Sequence, residues 1–359
     1  MKSLNASDCD LVVDTKINFF CEKIFRKYSF GFIALTALSL TTVYGQQTTF
    51  TNHIPVKQSA STAMPGKDLS QHDFFYAGEA KTRDMYIVRG GKVVWAYHDA
   101  AGKGEISDAI LLSNGNVLFA HQFGVTLITP AQKVLWNYDA PPKCEIHTAQ
   151  MIGATHVIFI QNGPAPKIFV ANISNDQMEK ELSLPVGNAN STHGQFRHAR
   201  LTDAGTYLVA HMDMKKVVEY NDEGKAIWSV TNATQTWAAT RLKNGNTLIS
   251  GGGNVREVTP SGETAWEFTA ADVPTYKFNS IQIATRMPNG NTLINNWVNE
   301  WNGPVDLASA PAQALEITAD KKTFWELRSW TAPALGPSTT IQLLDELGAP
   351  EDVYFGRIK

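Results

Sequence analysis

From about Phe74 to Glu346 the apolar residues fall in short alternating runs, separated by polar turns at near-constant spacing. Three runs share one phrase: LLSNGNVLFA at Leu111–Ala120, RLKNGNTLIS at Arg241–Ser250 and RMPNGNTLIN at Arg286–Asn295. Asn-Gly between two apolar runs predicts a tight hairpin, because a type I′ turn needs positive φ at both central positions. A second turn follows, at Gly90-Gly91-Lys92, Glu223-Gly224-Lys225 or Ser261-Gly262-Glu263. It leads into a strand with a central tryptophan: VVWAY at Val93–Tyr97, VLWNY at Val134–Tyr138, AIWSV at Ala226–Val230, TAWEF at Thr264–Phe268 and TFWEL at Thr323–Leu327. A further copy without tryptophan runs from about Glu145 to Leu182. A period in the forties, with four short strands per unit, predicts a β-propeller.

The two ends are incomplete in complementary ways. The N-terminal unit (FFYAGE, MYIVR, VVWAY) lacks a first strand, whereas Ser338–Glu346 (STTIQLLDE) resembles a first strand with nothing after it. Joining them closes the ring and removes its open edges. The expectation is therefore an all-β, six-bladed propeller over residues 74–359. Seven blades is the alternative if the stretch from Trp297 to Ala312 hides strands rather than forming a loop.

The repeat also serves as a ruler. Aligned on their turns, the first strands share Ala109, Ala149, Ala199, Ala239 and Ala284. Two residues earlier stand Ser107, His147, Arg197, Trp237 and Gln282, with Gln342 from the closing strand. Two earlier again come Glu105, Glu145, Gln195, Gln235, Ser280 and Thr340. Between them lie Ile106, Ile146, Phe196, Thr236, Ile281 and Ile341, which period-two alternation assigns to the core between blades. The polar columns then fall at the mouth of the axial channel. Two readings fit them: they satisfy backbone groups of the inner strands, or they line a pocket for a small ligand. His211 and Trp297, on loops between second and third strands, and His193, His198, Lys277 and Asn279, on loops entering first strands, map to the same face.

Composition narrows the setting. The chain has 359 residues, 43% hydrophobic, with 31 Lys+Arg against 34 Asp+Glu and no block of like charge, so no nucleic-acid partner is expected. Lys23, Arg26 and Lys27 precede an apolar run from Phe30 to Val43, and small residues lead to Gly45. That run is shorter than the roughly 20 residues a membrane span needs. It predicts a signal peptide with an extended leader (1–45), cleavage near Gly45, export, and no membrane span in the mature protein. Residues 46–73 read as a flexible polar lead-in. Of three cysteines only Cys144 lies beyond the leader, so no internal disulfide is expected.

For chemistry, His147 beside Glu145 and near Arg197 forms a candidate acid–base pair with an anion clamp, and Trp237 offers a flat stacking face. Glu105, Glu145 and His147 leave a divalent ion as an open alternative, although their spacing matches no ligand motif.

The LxNGNxL strands and G-[KE]-x-x-W-x-[FY] outer strands resemble the quinoprotein-like (PQQ-like) propeller superfamily, including arylsulfotransferase-like propellers. Quinoprotein dehydrogenases of that superfamily have eight blades, a vicinal cysteine pair and a calcium site. Six blades and a single cysteine beyond the leader depart from the first two, so PQQ is not expected. The arylsulfotransferase-like resemblance implies His147 as a transiently sulfurylated nucleophile, with Arg197 and His198 or His193 stabilising the sulfuryl group. Scaffold propellers of the outer-membrane barrel-assembly type share the repeat without catalysis. The combined expectation is an exported propeller that binds, and as an enzyme would act on, a small polar ligand such as a saccharide or an anionic compound, with no cofactor. Sulfuryl transfer, or a scaffold docking a protein on its rim loops, is the alternative.

Overall fold

The computed structural model describes residues 68–78, 83–99, 104–278, 280–299, 303–309 and 311–345. The expected leader, its cleavage site and most of the lead-in lie outside them, as do Asn279 and Trp301. Twenty-four strands form six four-stranded antiparallel sheets, a six-bladed propeller. Blade 1 contains β1 (Phe74–Gly78), β2 (Arg83–Arg89) and β3 (Lys92–Asp99). Blade 2 is β4 (Asp108–Leu111), β5 (Val117–Ala120), β6 (Gly124–Ile128) and β7 (Val134–Asp139). Blade 3 is β8 (Glu145–Ile152), β9 (His156–Asn162), β10 (Lys167–Asn172) and β11 (Gln177–Ser183). Blade 4 is β12 (Phe196–Leu201), β13 (Tyr207–His211), β14 (Lys216–Tyr220) and β15 (Ala226–Thr231). Blade 5 is β16 (Thr236–Arg241), β17 (Thr247–Gly251), β18 (Asn254–Val258) and β19 (Thr264–Thr269). Blade 6 is β20 (Ser280–Arg286), β21 (Thr292–Trp297), β22 (Ala314–Ile317) and β23 (Thr323–Leu327).

The last strand, β24 (Ser338–Leu343), pairs with β1 and completes blade 1 as its inner strand. The ring is thus closed by the far end of the chain. Between β21 and β22 the described residues hold no strand, only one short 3-10 turn at Leu307–Ser309, so this stretch adds no seventh blade. No helix among the described residues is long and apolar enough to cross a membrane.

The outer tryptophans stitch neighbouring blades. Trp95, Trp228 and Trp266 donate from Nε1 to the carbonyls of Pro130, Pro260 and Ala319 on the next blade, and Trp136 donates to Asp176. A second device repeats between blades. Glu219 and Glu257, each directly opposite a tryptophan, pair with Arg241 and Arg286 of the following blade. Each guanidinium also sits 4.8 Å over the Trp228 or Trp266 ring. Earlier in the ring the corresponding residues are apolar: Leu127 and Met151 share one core cluster.

Two sets of β-bulges recur: an outer one in every blade, and an inner one in every blade but blade 2, whose β4–β5 pairing is regular. On each outer strand one residue beside the tryptophan position is skipped by the pairing, leaving Val94, Leu135, Ile227 and Phe324 about half exposed. Such bulges twist an unpaired edge away from other strands. On the inner strands the bulge falls on the polar column itself. His147 and Thr148 together oppose one residue, as do Arg197 and His198, and Gln282 and Ile283. Trp237 and Thr339 are likewise supernumerary, and Ser107 reaches the same carbonyl region as Asp108. The core column behaves as alternation predicts at Ile106, Ile146, Phe196, Thr236 and Ile281, all fully buried. In the closing strand the observed register lies three residues from the expected one, so Ser338, not Ile341, stands in the place of Ile281, and Thr339, not Gln342, in that of Gln282.

Candidate functional site

The inner-strand bulges aim a continuous polar chain across blades 2 to 5. It begins at Glu105, whose Oε1 accepts from Ser107 Oγ at 3.1 Å. His147 Nδ1 lies 2.9 Å from Ser107 Oγ and 3.1 Å from Glu105 Oε1. His147 Nε2 lies 2.9 Å from Glu145 Oε2, and the same oxygen is 2.9 Å from His193 Nδ1. Arg197 then donates from NH2 to His193 Nε2 at 2.8 Å and from NH1 to the His193 carbonyl at 2.8 Å. The chain ends where the Arg197 guanidinium lies 5.0 Å over the Trp237 ring.

Burial grades along this chain. The His147 side chain is fully enclosed, Arg197 and Trp237 are buried, and the His193 side chain is 51% exposed. Both His147 nitrogens face carboxylate oxygens, and Nδ1 also lies within hydrogen-bond distance of Ser107 Oγ. Burial by itself would raise the Glu145 pKa. The bonds from His147 and His193 outweigh it and hold the carboxyl well below the usual range. Glu145 is therefore an ionised acceptor at neutral pH.

Glu145 also lines an open cleft of about 330 Å³, together with Phe123, Ala140, Pro141, Pro142, Lys143, Cys144 and Thr192. Its volume is at the lower end for small-molecule sites, enough for one or two sugar rings. Phe123 is 43% exposed there. With Oε2 committed to two histidines, Oε1 is the oxygen left for a ligand. Burial pushes the Cys144 thiol up, which makes it a poor nucleophile.

The other expected site residues divide by place. Gln342 and Gln195 satisfy backbone: Gln342 bonds Leu111 N and O, and Gln195 bonds Gly163 N and O. Gln282 is buried, and Gln235 and Lys277 are exposed. His211 is buried between Phe196 and Tyr220, bonds the Tyr220 hydroxyl at 2.9 Å, and is held down to about 3 by burial. Trp297 ends β21 half-buried. His198, expected in an entering loop, lies within β12.

His198 belongs to a second, buried network that the alignment does not show. Asp108 Oδ2 accepts from Thr148 Oγ1, the Ala149 N–H and Arg200 NH1, and stands 3.2 Å from His198 Nδ1. Arg200 NH2 completes a two-pronged pair on Asp108 Oδ1 at 3.1 Å. Burial would raise the Asp108 pKa, but Arg200 and His198 pull it well below the carboxylate range. Burial lowers that of His198, so its imidazole is neutral. The knot ties blades 2, 3 and 4 together. Because Thr148 and His198 are bulge residues, period-two counting from the alanines misplaces them, and nothing in the residue types alone marks Asp108 and Arg200 as partners.

No family model matches the chain, and no curated protein matches it. Solved structures do. A protein of unknown function from Bacteroides caccae aligns over 77% of this chain and 99% of its own, with 22% identity and a TM-score of 0.67. A streptogramin B lyase aligns over 72% of this chain and 84% of its own, with 13% identity and a TM-score of 0.50. At these identities the likeness is one of fold: the class defined is the β-propeller.

Proposed function

We propose that this is an exported propeller that binds a small polyhydroxylated ligand, of the saccharide class, in the cleft beside Glu145. The observation that carries the reading is the Glu145 carboxylate. It is kept ionised by two histidines and placed at the end of a cleft walled by Phe123, Pro141 and Pro142. An ionised acceptor beside an aromatic face suits a sugar, whose hydroxyls donate while its C–H face stacks. If the site turns a ligand over, Glu145 is the general base, since the groups behind it hold it deprotonated. Export rests on the basic flank and short apolar run before Gly45.

The anionic-ligand reading has less support. Arg197 is buried, with both terminal nitrogens committed to His193. Sulfuryl transfer needs an imidazole with a free, reachable nitrogen, and His147 has neither. Affiliation with the PQQ-like superfamily stays a proposal resting on the Asn-Gly-Asn and tryptophan phrases. The streptogramin lyase shares fold alone, and its title reaction is not carried over.

Thermal-shift titration of the mature protein tests the reading, with neutral oligosaccharides, acidic sugars and aryl sulfates as probes. A bound ligand raises stability by mass action. The expected result is stabilisation by a neutral saccharide that disappears in Glu145→Gln and Phe123→Ala. Stabilisation by aryl sulfate alone, or an undiminished sugar shift in both variants, would overturn it.

A further inference from the structure

We propose that Glu105, His147 and His193 form a site for a single divalent transition-metal ion of the zinc class. One ligand atom from each lies within 4.8 Å of the other two. An ion about 2.0 Å from each of three ligands in tetrahedral array holds them about 3.3 Å apart. His147 Nδ1 and Glu105 Oε1 already meet that spacing at 3.1 Å. The remaining adjustment falls to His193. It sits in the 3-10 turn Thr192–Gly194 and has the most exposed side chain of the three, so it is the ligand free to close.

The surroundings match what a metal-bound imidazole needs. Such a ring holds its second nitrogen on a carboxylate, which fixes its orientation and basicity. Glu145 Oε2 does this for two rings at once, at 2.9 Å from His147 Nε2 and 2.9 Å from His193 Nδ1. With Nε2 so engaged, His147 turns Nδ1 toward Glu105. The charges also agree. Glu105 and Glu145 bring two carboxylates to these imidazoles, and one cation, the Arg197 guanidinium, already rests on His193 Nε2. A dication takes that place, and Arg197, already over Trp237, gives up the contact. Two imidazoles with one carboxylate select a borderline metal over magnesium or calcium, which prefer all-oxygen sets.

This site shares Glu145 with the saccharide cleft, but its test is independent of that reading, because metal uptake is measured without sugar. The test is equilibrium dialysis of the full mature protein against zinc chloride, with calcium chloride as comparison. The expected result is one zinc per chain, not displaced by calcium. Affinity should fall about tenfold or more in His193→Ala, in Glu105→Gln and in the orienting variant Glu145→Gln. The His193 side chain is half-exposed, so its replacement should keep the parent's circular dichroism and a cooperative melt, at a slightly lower temperature, in metal-free buffer. That variant decides the matter if Glu105→Gln fails to fold. No zinc uptake by the parent, or equal uptake by His193→Ala, would overturn the proposal.

Discussion

His72 occupies, against Glu316, the place that an arginine takes in the two preceding seams. Its Nε2 lies 3.0 Å from Glu316 Oε2, its Nδ1 lies 2.7 Å from Asp345, and its ring stands edge-on to Trp325 at 5.1 Å. Glu257 with Arg286 over Trp266 is the same triad with a permanent cation. The seam where the ring closes is therefore the one whose positive charge titrates near neutral pH.

Stability should follow that titration. Burial lowers the His72 pKa, but the bonds to Glu316 and Asp345 outweigh it and leave it above the ordinary 6.5. Its contribution is complete below 6.5 and fades as pH rises through the raised value. Glu316 moves the other way: burial would raise it, but His72, Asn291 and Asn289 hold it below its ordinary 4.5, so its contribution fades only in acid. The closing seam is tightest between these ordinary values, 4.5 and 6.5. Melting scans should show stability declining above that window. His72→Gln should flatten the decline and cost about 1.5–3 kcal/mol at pH 6. An unchanged alkaline limb would refute this.

Replacing Arg286 by Met should cost about 2 kcal/mol in urea unfolding, because Glu257 is left with a lost partner in a half-dry seam. The double variant Glu257→Leu/Arg286→Met should recover most of the loss. It copies the apolar Leu127–Met151 seam that this chain already uses. A double variant no more stable than the single one would show that the seams are not interchangeable.

Asp108→Asn should be among the most damaging single changes, at about 3–5 kcal/mol, since it takes the counter-charge of Arg200, whose side chain is only 13% exposed, out of a buried network. The Asp108 pKa is lowered, so its stabilisation is present above the ordinary 3.8 and lost in acid as pH falls through the lowered value. Chemical denaturation at neutral pH and at pH 3 separates the two variants' behaviour: the gap between parent and Asp108→Asn should narrow in acid.

Phe123→Ala should cost only about 1 kcal/mol of stability, less than a core Phe→Ala change, because Phe123 is 43% exposed. Saccharide affinity should nonetheless drop. A variant that binds as well as the parent would remove the cleft from the ligand site.

Hydrophobic spacing made the ring legible, including its closure by Ser338–Leu343, although it set the register of that strand three residues away from the observed one. It also separated the Ile and Phe core column from the polar one. It did not reveal which polar residues meet. A supernumerary residue on the inner strands of blades 3, 4 and 5 resets the alternation just where His147, Arg197 and Trp237 stand. His198 and Thr148 consequently turn to Asp108, and Arg197 folds back on His193. The cleft at Phe123, Pro141 and Pro142 escaped notice because it is built from connections, where no period operates.

Borrowing the innermost strand of blade 1 from residues 338–343 makes the molecule a test of its own completeness. Until Leu343 has been synthesised, β1 presents a bare row of amides and carbonyls, the kind of edge that recruits other chains. A product cut short by even the last strand keeps five whole blades yet remains open and adhesive. Only a chain that extends through Leu343 can cover the inner edge of β1.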